Sequence, residues 1–125
     1  MGLMFPKKPV GRVRGGHHGD RYENKRHLAY LRSDWCCSLA GRGQCDGPVE
    51  AHHLLRPWIG SRGMGKRSAD CCAIPLCSGC HRELHRRGDE DAFFTEATGF
   101  PEFGRQWAKQ LWEDSPYNEV LPWLT

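Results

Sequence analysis

The stretch C-S-G-C-H-R-E-L-H, Cys77 to His85, crowds two cysteines and two histidines into one short segment. Few structures tolerate that density unless the side chains hold something. C-x-x-C has the spacing of a zinc knuckle, and H-x-x-x-H on a helix puts both imidazoles on one face. The fragment C-x-x-C-H is also the attachment signature of a c-type haem. Composition helps to decide between them. Only 38% of the 125 residues are hydrophobic and the mean hydropathy is −0.68, so one small core is expected, with a staple to support it. Seven cysteines could provide that staple. The opening M-G-L-M-F-P-K-K-P lacks the apolar run of a signal peptide, and no later segment is long enough to span a bilayer. A cytoplasmic chain with reduced thiols is therefore expected, without a membrane partner, which favours metal over disulfides and weakens the haem reading.

The chain reads as a basic arm, residues 1–19, followed by a single domain, residues 20–125. The arm holds Lys7, Lys8, Arg12 and Arg14 and no acid. Asp20 and Glu23 fit a capping box, and Tyr22, Arg26, Ala29 and Tyr30 have helical spacing, so a helix is expected over Asp20 to Arg32. A turn-rich loop then carries Cys36, Cys37 and Cys45. V-E-A-H-H-L-L and C-A-I-P-L read as short strands flanking the basic glycine-rich loop P-W-I-G-S-R-G-M-G-K-R. Ser78 is a candidate N-cap for a helix to about Arg87. C-terminal helices are expected within residues 89–113. The first is capped by Asp89 and ends near Gly99; the second starts at Pro101, with Phe103, Trp107 and Leu111 as its buried stripe and irregular coil after Pro116.

Two metal constellations follow. His81 and His85 can share a cation with one of the neighbours His52 and His53; adjacent strand residues point to opposite sides, so the other neighbour stands beside the ion. His52 as ligand leaves His53 as an unmetallated base, and the reverse assignment is equally compatible with the periodicity. Three imidazoles leave coordination positions open, as in catalytic rather than structural sites. Cys77 and Cys80 need two more thiolates, from Cys45 and either Cys37 or Cys36, to close a structural zinc site. The plainer alternative is a single finger of Cys77, Cys80, His81 and His85. Cys71 and Cys72 read as buried small thiols. Arg56, Arg62, Lys66, Arg67, Arg82, Arg86 and Arg87 surround the cluster, and acids follow later, a distribution suited to a polyanion.

The motifs A-H-H and P-L-C-S-G-C-H-R-E-L-H resemble the HNH, or His-Me finger, endonucleases. L-A-Y-L-R-S, P-V-E-A-H-H-L and G-M-G-K-R-S-A-D look closest to small phage and prophage members related to the recombination enhancement function nuclease. The resemblance spans roughly Arg26 to Arg87. It implies an α+β chain whose ββα-metal core, about residues 45–87, is stapled by structural zinc and flanked by helices. His53 matches the general base. His52, His81 and His85 match the ligands of a catalytic divalent cation (Mg²⁺, Mn²⁺, Ni²⁺ or Zn²⁺). Cys77 and Cys80, with an upstream pair, match the structural zinc. Two departures stand out. The family's central asparagine falls on Cys72, with Asp70 nearby to take over its role, and a tidy upstream C-x-x-C is replaced by Cys36, Cys37 and the distant Cys45.

The implied activity is hydrolysis of DNA phosphodiesters, single-stranded or branched DNA included, in a bacterium or phage-infected host. Arg56, Lys66, Arg67, Arg82 and Arg86 would neutralise backbone phosphates, which gives affinity with weak sequence preference and nicking or double-strand cutting. A monomer suffices for this chemistry, and the sequence does not fix the oligomeric state. The alternative is a non-catalytic zinc module that binds nucleic acid or protein.

Overall fold

Lys25–Ser33 forms a helix because Asn24 caps it: the Asn24 side-chain oxygen accepts the His27 amide at 3.0 Å. The computed structural model describes residues 12–13, 22–33, 46–60 and 67–121. The elements in chain order are β1 (Arg12–Val13), β2 (Tyr22–Glu23), α1 (Lys25–Ser33), β3 (Val49–His53), β4 (Ala73–Cys77), α2 (Ser78–Arg87), α3 (Glu90–Thr98) and α4 (Phe103–Asp114), with a 3-10 turn at Asp70–Cys72 before β4. The chain is thus a small mixed α+β domain. None of the helices among the described residues is long and apolar enough to cross a membrane.

The helix expected from Asp20 starts later. Tyr22 and Glu23 are extended and pair antiparallel with Val13 and Arg12, so two residues of the expected basic arm form a strand. The buried face of α1 is His27 and Leu31, not the Tyr22, Arg26, Ala29 and Tyr30 series. The spacing signal was real, but Asn24 offers a cap nearer to the face that packs. Asp20, Cys36, Cys37, Cys45, Arg62, Lys66 and Trp123 lie outside the described residues.

β3 and β4 pair antiparallel, with His52 opposite Ile74 and His53 opposite Ala73. Every residue of β4 is buried, because α1, α4 and α2 all pack against it. Among the described residues the sheet has two strands, so Pro75 lies on an edge strand, where proline is tolerated. β4 runs straight into α2. Ser78 does not cap that helix: residue 77 is the N-cap, and the Ser78 hydroxyl bonds the Pro48 carbonyl and Glu50 instead. The first α2 amides are satisfied by the segment just before β3, Ser78 N–H by Pro48 O and Gly79 N–H by Asp46 O, both at 2.8 Å. Gly47 permits this approach. Its φ is +80°, and a Cβ there would lie 2.8 Å from Ser78 Cβ.

Leu31, Leu54, Ile74, Leu76, Leu84, Phe93, Phe94 and Leu111 form the main core. Tyr22, Cys71, Cys72, Trp112 and Leu121 form a second cluster. Asp89 caps α3 by accepting the Ala92 amide, and Gly99 ends it, as the sequence suggests. Residues 115–121, past α4, are irregular. The buried face of α4 is Gly104, Ala108, Leu111 and Trp112, so the expected stripe is rotated and Phe103 and Trp107 sit at its margin. The missing side chain at Gly104 lets the helix come close to Phe94.

A Cβ at position 104 would lie 2.6 Å from Phe94 Cζ and 3.1 Å from Leu54 Cδ2. Gly104→Ala gains about 1 kcal/mol in helix propensity but overpacks by more, so a net loss of about 1–2 kcal/mol is expected in urea unfolding. His27 is fully buried against Trp112 (ring centroids 4.8 Å apart, edge-to-face) and its Nδ1 meets Ser115 Oγ at 3.0 Å. Burial lowers its pKa to about 4, against an opposing pull from Asp70. A folded pKa below the unfolded value means that the unfolded chain takes up the proton first. Stability from this group is complete above pH 6.5 and declines towards pH 4, by at most about 3 kcal/mol. His27→Gln should flatten the stability profile in that window, measured by urea unfolding at a series of pH values.

Candidate metal centre

His52 lies on β3, fully buried, while His81 and His85 lie one turn apart on α2. Packing α2 on the strand pair brings one nitrogen of each ring within 4.8 Å of the others. His52 Nδ1 is 3.2 Å from His81 Nε2, and His81 Nε2 is 3.1 Å from His85 Nε2. Nitrogens that each sit about 2.1 Å from one ion are roughly 3.0–3.4 Å apart, so these two spacings fit a shared cation.

The carboxylate partners fix which ring nitrogens carry protons. His52 Nε2 donates to Glu90 Oε1 at 2.9 Å, which leaves Nδ1 with its lone pair. His81 Nδ1 donates to Glu50 Oε1 at 2.8 Å, which leaves Nε2 with its lone pair. Two lone pairs therefore face each other at 3.2 Å, and neutral rings cannot hydrogen-bond across that gap. A positive charge between them, a metal ion or a proton, removes the conflict. Burial holds the His52 ring below the usual histidine range even though Glu90 pulls the other way, which favours the neutral, ligating form. The hydrogen bond from His81, helped by Ser78, holds the Glu50 carboxyl below its usual range.

His53 points elsewhere. Its Nε2 donates to Asp70 Oδ1 at 2.8 Å, and its side chain is 6% exposed. The other Asp70 oxygen accepts the Asn24 amide at 2.7 Å, so the carboxylate is fixed by the chain just before α1. Cys72 is buried and carries no bond to His53. Its carbonyl accepts Leu54 N–H, its thiol reaches Ile59 O, and Cys71 O accepts the Trp58 indole N–H. The 3-10 turn thus braces the segment after β3 through backbone groups, and Asp70 alone meets the imidazole.

Cys77 and Cys80 are buried in the main core and do not join the histidine group, so the single four-ligand finger does not form. Asp46 N–H donates to Cys77 Sγ at 3.3 Å. Cys37, its alternative Cys36, and Cys45 lie outside the described residues, as does Lys66. The arginines are placed as follows. Arg82 and Arg86 lie on exposed turns of α2, paired with Asp46 at 3.3 Å and Glu83 at 2.6 Å. Arg56 pairs with Asp91 at 3.5 Å, and Arg87 with Glu96. Arg67 is exposed. Sequence reading missed both supporting carboxylates. Glu50 could have been found, since it lies two residues before His52 on one strand and shares its face. Glu90 had no local signal.

Titration with Ni²⁺ checks the grouping. His52→Ala, His81→Ala or His85→Ala should each weaken binding beyond the roughly 10–100-fold that loss of an outer-shell partner costs. His53→Ala should keep wild-type affinity.

Residues 17–100 match the family described as "Protein of unknown function (DUF968)". Neither the curated proteins nor the solved structures contain a match to the chain. The family match covers more than half of the chain, including β3, β4, α2, all three converging histidines and both of their carboxylates. The chain accordingly belongs to the DUF968 family.

Proposed function

We propose that the chain is a metal-dependent endonuclease of the HNH type that hydrolyses DNA phosphodiester bonds. The observation that carries this reading is the division of labour between adjacent histidines. His52 converges with His81 and His85, while His53 is excluded from that group and fixed by Asp70. A ligand set with open positions and a separately oriented imidazole are what metal-assisted hydrolysis needs.

His52, His81 and His85 would hold the divalent cation, Mg²⁺, Mn²⁺, Ni²⁺ or Zn²⁺. When bound, the cation supplies charge stabilisation for a phosphate oxygen and the leaving oxygen. His53 gives its Nε2–H to Asp70, which keeps Nδ1 as the proton acceptor. Nδ1 takes a proton from water, the water oxygen bonds to phosphorus, and the bond to the 3′ oxygen breaks. The 3′ oxygen recovers a proton from solvent, giving a 3′-hydroxyl and a 5′-phosphate. Asp70 stabilises the imidazolium formed in this step.

Arg82 and Arg86 flank the histidines on α2. Their ion pairs are solvent-exposed and screened, so DNA phosphates can replace the carboxylates at little cost. A second ion, a structural zinc, would sit on Cys77 and Cys80 with Cys45 and Cys37 or Cys36. Support comes from the burial of both cysteines beside α2 and the amide donated to Cys77 Sγ. This zinc staple and the pair-plus-helix unit together would make the ββα-metal core.

Incubation of supercoiled plasmid with Mg²⁺, Mn²⁺ or Ni²⁺, with and without chelator, tests the reading. Cutting should require metal and fall about 10²–10⁴-fold in His53→Ala while the metal content stays the same. Equal cutting by that variant would exclude His53 as the base. No cutting by a fully metallated chain would leave the non-catalytic zinc module.

A further inference from the structure

We propose that Glu90, at the start of α3 and outside the strand pair and α2, is the positioning residue that sets the tautomer of His52 and so makes Nδ1 available to the cation. This rests on the reading of the three histidines as a metal site and adds a residue to it. Glu90 is 4% exposed although it is a carboxylate. A buried carboxylate must be fully hydrogen-bonded to be tolerated. Its Oε1 accepts His52 Nε2–H at 2.9 Å and Leu55 N–H at 2.9 Å; its Oε2 accepts Leu55 N–H at 3.1 Å and Arg56 N–H at 3.3 Å. Glu90 therefore grips β3 and its continuation at two points, the ring of His52 and the backbone just past His53. Phe93 and Phe94 fix α3 from below through the core.

The chemistry of the imidazole makes this consequential. A neutral ring carries one N–H and one lone pair. Were Nε2 without an acceptor, the ring could place its proton on Nδ1 and present an N–H to the ion. Glu90 removes that option, because a carboxylate accepts and cannot donate. Glutamine at 90 would have one accepting oxygen for three donors. If that oxygen stays with Leu55 and Arg56, the amide NH₂ faces His52 Nε2 and selects the Nδ1–H tautomer, which cannot bind the cation through Nδ1. Glu50 holds His81 in the same way, but with a half-exposed carboxylate that water can replace.

Long-range ¹H–¹⁵N NMR of the full chain, read together with Ni²⁺ titration, tests the proposal. In the metal-free wild type His52 should be the Nε2–H tautomer; finding Nδ1–H overturns the proposal without any variant having to fold. Glu90→Gln should shift His52 towards Nδ1–H and weaken Ni²⁺ binding about 10–100-fold. In a His52→Ala background the same change should cost nothing further, since Glu90 acts through that ring. An equal loss in both backgrounds would mark a general packing defect and overturn the assignment. Glu50→Gln is the control, expected to leave the His52 tautomer alone. Ni²⁺ binding that behaves in this way without plasmid cutting would sink the nuclease reading and leave Glu90 in place. Unchanged Ni²⁺ affinity in Glu90→Gln would do the reverse. A wild type with no Ni²⁺ site at these histidines removes the basis of both.

Discussion

Two nitrogen lone pairs held 3.2 Å apart, on His52 and His81, are the constraint around which the middle of this protein is arranged. Each ring has its other nitrogen committed to a carboxylate, so neither can turn to relieve the repulsion without breaking a hydrogen bond. The fold supplies the force that keeps them there. α2 leaves β4 without a linker, its first amides are bound by carbonyls just before β3, and its buried side, Cys80 and Leu84, joins the main core. Core packing thus opposes local electrostatics, a conflict expected at functional sites rather than in scaffolding.

The same economy explains how so few apolar residues hold together. Polar groups at the interior are not left to solvent but tie distant segments: Asp70 links the turn before β4 to Asn24 and to His53, and Glu90 links α3 to β3. Breaking one partner of such a buried set costs more than the set contributes, because the remaining donors lose their acceptors. These residues consequently serve stability and site geometry together. Only measurements that read ring tautomer or metal affinity separate the two roles.

How much of this was legible beforehand varies with the range of the interaction. Strands around A-H-H and C-A-I-P-L, the helix that follows, and the Asp89 and Gly99 ends of α3 come from local signals, and all are present. Local competition caused the errors. Asn24 displaced Asp20 as the cap of α1, Ser78 was drawn away to Pro48 and Glu50, and the face of α4 turned because Gly104 admits Phe94. In each case more than one residue had suitable chemistry, and for Ser78 and α4 a partner outside the element chose.

What the sequence determined by itself was the inventory and its period. Histidines four apart on a helix must share a face, and adjacent histidines on a strand must part, so one of His52 and His53 had to join the pair on α2. Which one joined was decided by tertiary structure, because the direction of each β3 side chain depends on where α2 and the 3-10 turn pack. Glu90 belongs wholly to that second kind. It lies 38 positions from His52 along the chain, and only the docking of α3 turns its carboxylate towards the ring.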